Sequence, residues 1–121
     1  MSDSPELLRT RTKNFAVRIV RLFQALPRND EARVLGKQLL RCGTAVAANY
    51  RAAGRARSRA EFIAKMGIVL EEIDESVFWL EMLVDTNIVP AERMREIIHE
   101  SNELVKIFSA ARRTLRNGRQ R

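Results

Sequence analysis

Ser58-Arg59-Ala60-Glu61-Phe62-Ile63-Ala64-Lys65-Met66-Gly67-Ile68-Val69-Leu70 holds a helix start and the first turns of an apolar face. Ser58 with Glu61 three residues later is a capping box, placed directly before the Phe62-Ile63 pair. At about 100° per residue, Phe62, Ile63, Met66, Ile68, Val69, Leu70, Ile73, Val77, Trp79, Leu80, Leu83 and Val84 spread over roughly 220° of one helix. An ordinary surface helix hides a stripe little over about 100° wide. So broad an arc exceeds what one bundle core takes up, and the excess predicts association with further copies of the chain. Phe78, Trp79, Leu80 and Met82 are the expected oligomer interface.

Three more amphipathic segments flank this one, and no alternating strand pattern lies between them. The first covers about 5–26, with Ser4 as N-cap, Pro5 at the first helical position and a stripe of Leu8, Phe15, Ile19, Leu22, Phe23 and Leu26. Pro27 and Asn29-Asp30 end it. The second, about 31–53, is capped by Asp30, carries Leu35, Leu39, Cys42, Val46 and Ala53 along its seam, and stops at Gly54. The third covers about 59–86. The fourth covers about 90–115, with Met94, Ile97, Ile98, Ser101, Val105 and Phe108 on one side, and fades into a basic tail over 112–121. Short connections make neighbours antiparallel, so the expected architecture is a single all-α domain over 1–121, an up-down-up-down four-helix bundle.

Composition bounds the function. A chain of 121 residues suits one domain. Cys42 is the only cysteine, which excludes an internal disulfide and points to a reducing, cytoplasmic setting. No apolar run reaches membrane-span length and the first residues lack a secretory pattern. The net charge of +7 hides a segregation: residues 1–65 carry +9, residues 66–111 carry −7 and residues 112–121 carry +5. Such a dipolar protomer can meet its own copy acid to base and still offer a cationic surface to a polyanion.

Three stretches carry a family resemblance: Arg41-Cys42-Gly43-Thr44-Ala45-Val46-Ala47-Ala48-Asn49-Tyr50, Ser58 to Lys65, and Glu72-Ile73-Asp74-Glu75-Ser76-Val77-Phe78-Trp79-Leu80. With these residues the chain resembles the four-helix-bundle proteins encoded in intervening sequences of bacterial large-subunit ribosomal RNA genes. Related to them is the accessory protein of diversity-generating retroelements, a basic, barrel-shaped homopentamer that binds nucleic acid and a reverse transcriptase. The resemblance therefore implies a ring-like oligomer, with a pentamer favoured, a nucleic-acid role and a reverse transcriptase as a further partner. Two positions depart from the family pattern, which has Ser where this chain has Ala45 and Glu where it has Ala52.

Asn49, Arg41 and Glu72 fall on or beside apolar faces, and buried polar groups need partners. A buried network of Arg41, Asn49, Glu72 and Glu75, within the protomer or across the subunit seam, is the expected solution, serving specificity of assembly. As paired catalytic carboxylates, Glu72 and Glu75 would lack a nucleophile, and a neighbouring Arg would hold both ionised. Glu96-Ile97-Ile98-His99 has the Glu-x-x-His spacing of di-iron bundles, but that site needs the motif twice and His99 is the only histidine. No enzyme activity, metal or cofactor is expected.

Up-down-up-down topology brings the start of the first helix, the second connection and the end of the fourth helix to one pole. Arg9, Arg11, Lys13, Arg51, Arg55, Arg57, Arg59, Arg112, Arg113 and Arg116 converge there and are the expected nucleic-acid contacts. Arginine outnumbers lysine 18 to 4, which suits bidentate phosphate binding. Only Tyr50 and Phe78 offer aromatic rings for stacking on bases, so contact with the phosphate backbone is favoured over base reading. The alternative is a protein-interaction scaffold docking through Phe78 and Met82. Binding to a membrane surface is disfavoured, because a folded bundle cannot spare the apolar face of its first helix.

Overall fold

A computed structural model describes residues 3–119, and the last two residues of the expected tail, 120 and 121, lie outside it with residues 1 and 2. Four helices follow one another: α1 (Pro5–Ala25), α2 (Asp30–Ala53), α3 (Arg59–Asp85) and α4 (Ala91–Arg119). No strand occurs among the described residues. The protein is an all-α four-helix bundle in which α2 packs on α1 and α3, α3 packs on α4, and α4 meets α1 along a thinner seam.

Each helix start has a local cause. Ser4 Oγ accepts from the Leu7 N–H at 3.1 Å and Pro5 takes the first turn. At α2 the cap is Asn29, not the expected Asp30. Its Oδ1 accepts from the Ala32 N–H at 2.9 Å, and Asp30 and Glu31 stand in the first turn, where carboxylates suit the positive end of the helix dipole. Ser58 Oγ accepts from the Glu61 N–H at 3.0 Å, while the Glu61 carboxylate reaches back one residue beyond the capping box, to the Arg57 N–H at 3.4 Å. Helix α3 ends in a Schellman turn. Asn87 adopts φ 61°, the Ile88 N–H donates to the Leu83 carbonyl at 3.0 Å and the Asn87 N–H to that of Val84 at 2.9 Å.

The core runs the length of the bundle through Phe15, Ile19, Leu39, Val46, Val69, Ile73, Leu80, Leu83, Met94, Leu104 and Phe108, all fully buried. Three buried hydroxyls satisfy themselves locally: Thr12 donates to the Leu8 carbonyl, Ser76 to that of Glu72 and Ser101 to that of Ile98, each at 2.8 Å. Cys42 is buried beside Ser76, whose hydroxyl lies 3.3 Å from its sulfur. Desolvation is the main reason its thiol pKa is raised. Helices α1 and α2 pack closely at Gly43, where a Cβ would stand 2.8 Å from both Cγ atoms of Ile19.

Flanked by α2 on one side and α4 on the other, α3 hides most of its apolar arc inside the protomer. Ile63, Met66, Val69, Ile73, Leu80 and Leu83 are buried, and Phe62, Leu70, Trp79 and Val84 pack partly against the core. What stays outside is narrower than the sequence suggests: Ile68 and Phe78, the latter 52% exposed. Helix α4 also differs from expectation. It does not fade near residue 115 but continues to Arg119, since Ala110, Ala111, Leu115 and the arginines are strong helix formers that outweigh Thr114 and Asn117.

Candidate nucleic-acid interface

Helix polarity brings the first turn of α1, the α2–α3 connection and the last turns of α4 to one end of the bundle. Two observations fix this. Arg59 Nη2 donates to the Leu115 carbonyl at 3.0 Å, which ties the start of α3 to the end of α4. Leu8, Tyr50, Phe62 and Leu115, from four different helices, line one cleft of about 530 Å³. This cleft exists because α4 outruns α1. Arg11 pairs with Glu100, so the α4 residues from about Ile107 onward lie beyond the start of α1 and leave Ile107, Ala111 and Leu115 without a fourth helix over them.

The expected cationic residues divide by what already engages them. Arg11 Nε and Nη2 donate to the two oxygens of Glu100 at 3.1 and 2.7 Å, and its Nη1 to Asp3 at 2.8 Å. The hydrogen bond with Glu100 is the main cause raising its pKa, and the residue acts as a clasp between α1 and α4. Arg59 is engaged by the Leu115 carbonyl of α4, as described above. Arg57 makes a loose, exposed contact of 3.8 Å with Glu61, and Arg9 a similar one with Glu6. Lys13, Arg51, Arg55, Arg113 and Arg116 are exposed, and none of them forms an ion pair among the described residues.

At the end of α4, Ser109, Arg112, Arg113, Arg116 and Asn117 line a second cleft of about 350 Å³ together with Leu70 of α3. Arg112 lies flat against α3 at Gly67, where a methyl group would touch its Cζ, Nε and Nη2 at 3.4 Å. Its Nε is out of solvent and has no hydrogen-bond partner among the described residues.

The expected polar network forms only in part. Arg41 Nη2 donates to Glu75 at 2.9 Å and its Nη1 reaches Glu72 at 3.4 Å. The hydrogen bond to Glu75 is the first cause raising the Arg41 pKa. Asn49 does not join, because its side chain donates to the Ala45 carbonyl of its own helix at 2.9 Å. Nor is the cluster buried: the side chains of Arg41 and Glu75 are each about half exposed and only that of Glu72 is largely covered.

Two aromatic expectations change as well. Tyr50 is not a surface ring. It is buried edge-to-face against Phe108, with ring centroids 5.4 Å apart, and burial raises its phenol pKa. Leu80 cannot share an interface with Phe78, since two residues along a helix turn the side chain through about 200° and Leu80 points into the core. Phe78 is the exposed member, stacked edge-to-face on the half-buried Trp79 at 4.9 Å, and Met82 is half-buried. Glu96 and His99 are exposed on α4, and no group of three or more His, Cys, Asp or Glu among the described residues is placed to hold a metal ion. No helix among those residues is long and apolar enough to cross a membrane.

Sequence reasoning brought the cations together at one end of the bundle but missed how they divide, because the partners of Arg11 and Arg59 lie 89 and 56 residues away. It also missed Gly67, whose only signal is a glycine inside a strongly helical stretch.

Comparison with known proteins agrees with the fold. The profile of the 23S rRNA-intervening sequence protein family matches residues 8–110. A solved structure of a protein of unknown function from the S23 ribosomal protein family of Bacteroides thetaiotaomicron VPI-5482 is 37% identical. It superposes with a TM-score of 0.84 over 90% of this chain and 97% of its own. No curated protein is significantly similar to the chain.

Proposed function

The chain belongs to the 23S rRNA-intervening sequence protein family, and we propose that it is a non-enzymatic, self-associating protein of the cytoplasm that holds RNA or DNA by its phosphates. The observation that carries this reading is the gathering at one pole of arginines without carboxylate partners among the described residues, Arg51 and Arg55 from α2 and its connection and Arg113 and Arg116 from α4. Planar guanidinium groups match phosphate oxygens bidentately, and closing several protomers into a ring would repeat the pole and multiply such contacts. Phe78 and Trp79 are the side chains available for that association, and the family resemblance favours five subunits. Base stacking has no part in the reading, because Tyr50 lies in the core and Phe78, though exposed, stands toward the other end of α3 from the basic pole.

Gel-shift titration against a single-stranded RNA and a DNA duplex tests the proposal. Binding at low salt that weakens steeply as salt rises, and that is weakened by joint reversal of Arg51, Arg55 and Arg57 to Glu, supports it. Affinity indifferent to both salt and charge reversal overturns it. Arg59 is left out of the reversal because its tie to Leu115 would confound binding with folding.

A second reading is favoured by the apolar cleft of about 530 Å³ at the pole, lined by all four helices, and by the exposed Phe78. Here the protein is an interaction scaffold, for instance for a reverse transcriptase, and its cations serve solubility. Absence of nucleic-acid binding by the unmodified protein favours this reading over the first.

A further inference from the structure

We infer that α4 carries the phosphate seat of this pole, in which Arg112, Arg113 and Arg116 hold one backbone phosphate group between the neutral donors Ser109 and Asn117. This rests on the nucleic-acid reading above and narrows it from a pole to one face of one helix.

Three observations lead here. The five residues recur at i, i+3, i+4, i+7 and i+8 and so form one stripe of α4, which lines a cleft of about 350 Å³ beside α3. None of the three guanidinium groups forms an ion pair among the described residues, whereas Arg9, Arg11, Arg41 and Arg57 each face a carboxylate. Three like charges on adjacent turns repel one another, and an anion between them relieves that repulsion. Finally, Arg112 is close at hand but not spoken for. Gly67 leaves room for its guanidinium against the α3 backbone, and its Nε–H is shielded from water there without an acceptor among the described residues. Turning this guanidinium outward to an anion in the cleft therefore breaks no hydrogen bond and gives the orphaned donor a partner. Ser109 and Asn117 bring a hydroxyl and an amide to the two ends of the stripe, the side chains that commonly supplement arginine at phosphates.

The discriminating variant is Ser109→Glu. Its carboxylate would stand three and four residues before Arg112 and Arg113, at helical pairing distance, filling the seat internally without loading the helix with strain. Ser109→Gln has nearly the same shape and no charge. Binding of a fluorescently labelled single-stranded RNA is measured by anisotropy across a salt series, with circular dichroism as the folding check. Ser109→Glu and the double variant Arg112→Gln/Arg116→Gln should each lose about tenfold or more in affinity, and the slope of log K against log salt should become shallower by about 1 to 2. Ser109→Gln should bind like the unmodified protein.

If Ser109→Glu and the arginine double variant both keep the parental affinity and slope, while reversal of Arg51, Arg55 and Arg57 weakens binding, the seat is elsewhere on the pole. The inference then falls and the proposed function stands. Equal weakening by Ser109→Gln and Ser109→Glu would mark the effect as one of shape and would also overturn the inference. No binding by the unmodified protein overturns both. Should Ser109→Glu fail to fold, the arginine double variant decides alone.

Discussion

Replacing a helical glycine by alanine is expected to have opposite consequences at two positions of this bundle. At Gly43 in α2 the new methyl would stand 2.8 Å from Cγ1 and Cγ2 of Ile19 and 3.1 Å from its Cβ. These atoms are the branch point of a β-branched side chain that is fully buried in α1, so it has no flexible end to move aside. Overpacking of this kind costs about 2 kcal/mol, and alanine in place of glycine inside a helix returns about 1, leaving a net destabilisation of about 1 kcal/mol. At Gly67 in α3 the methyl meets the Arg112 guanidinium at 3.4 Å, an ordinary contact with a long side chain. There the propensity gain prevails and stability should rise by about 0.5 to 1 kcal/mol. Thermal unfolding at matched protein concentration should therefore move the two midpoints in opposite directions, by roughly 2 to 5 °C each. A Gly43→Ala protein that melts above the parent would refute the argument, because it would mean that α1 and α2 are free to slide apart.

Other expectations follow from the same geometry. A double-mutant cycle between Arg11 and Glu100, read by urea unfolding, should return a coupling of about 1 kcal/mol that shrinks with added salt, since the pair is bidentate but still partly solvated. Cys42, buried and with its thiol pKa raised, should resist alkylation at pH 8 in the native protein and react readily in denaturant, as measured by mass spectrometry. Phe78→Asp should keep the helical content of the parent while lowering any oligomer mass toward 13.9 kDa by light scattering, whereas Leu80→Asp should unfold the protein by burying a charge in the core.

Four helices could be read from the chain because their signals are local. The Ser4 and Ser58 caps, the Pro27 break and the stripes at helical spacing each act within a few residues, and each lies where it was read. The Asn29 cap was one residue off because both Asn29 and Asp30 are good caps and only the backbone angle of the turn chooses between them. Errors grew where a side chain had two ways to be satisfied. Asn49 turned to the carbonyl one turn back, and the apolar arc of α3 was absorbed by two flanking helices more fully than a single helical wheel suggests. The cationic pole was legible as composition. Its division into engaged arginines, Arg11 and Arg59, and unengaged ones, Arg113 and Arg116, was not, because it depends on pairings between helices distant in the chain.

The most direct test of the central claim is the salt dependence of RNA binding by the unmodified protein, followed as log K against log salt from about 50 to 200 mM. If an assembled basic pole makes about 6 to 10 phosphate contacts, affinity should fall by about 10³ to 10⁵ over that range. A flat line, or no binding at the low-salt end, would contradict the account.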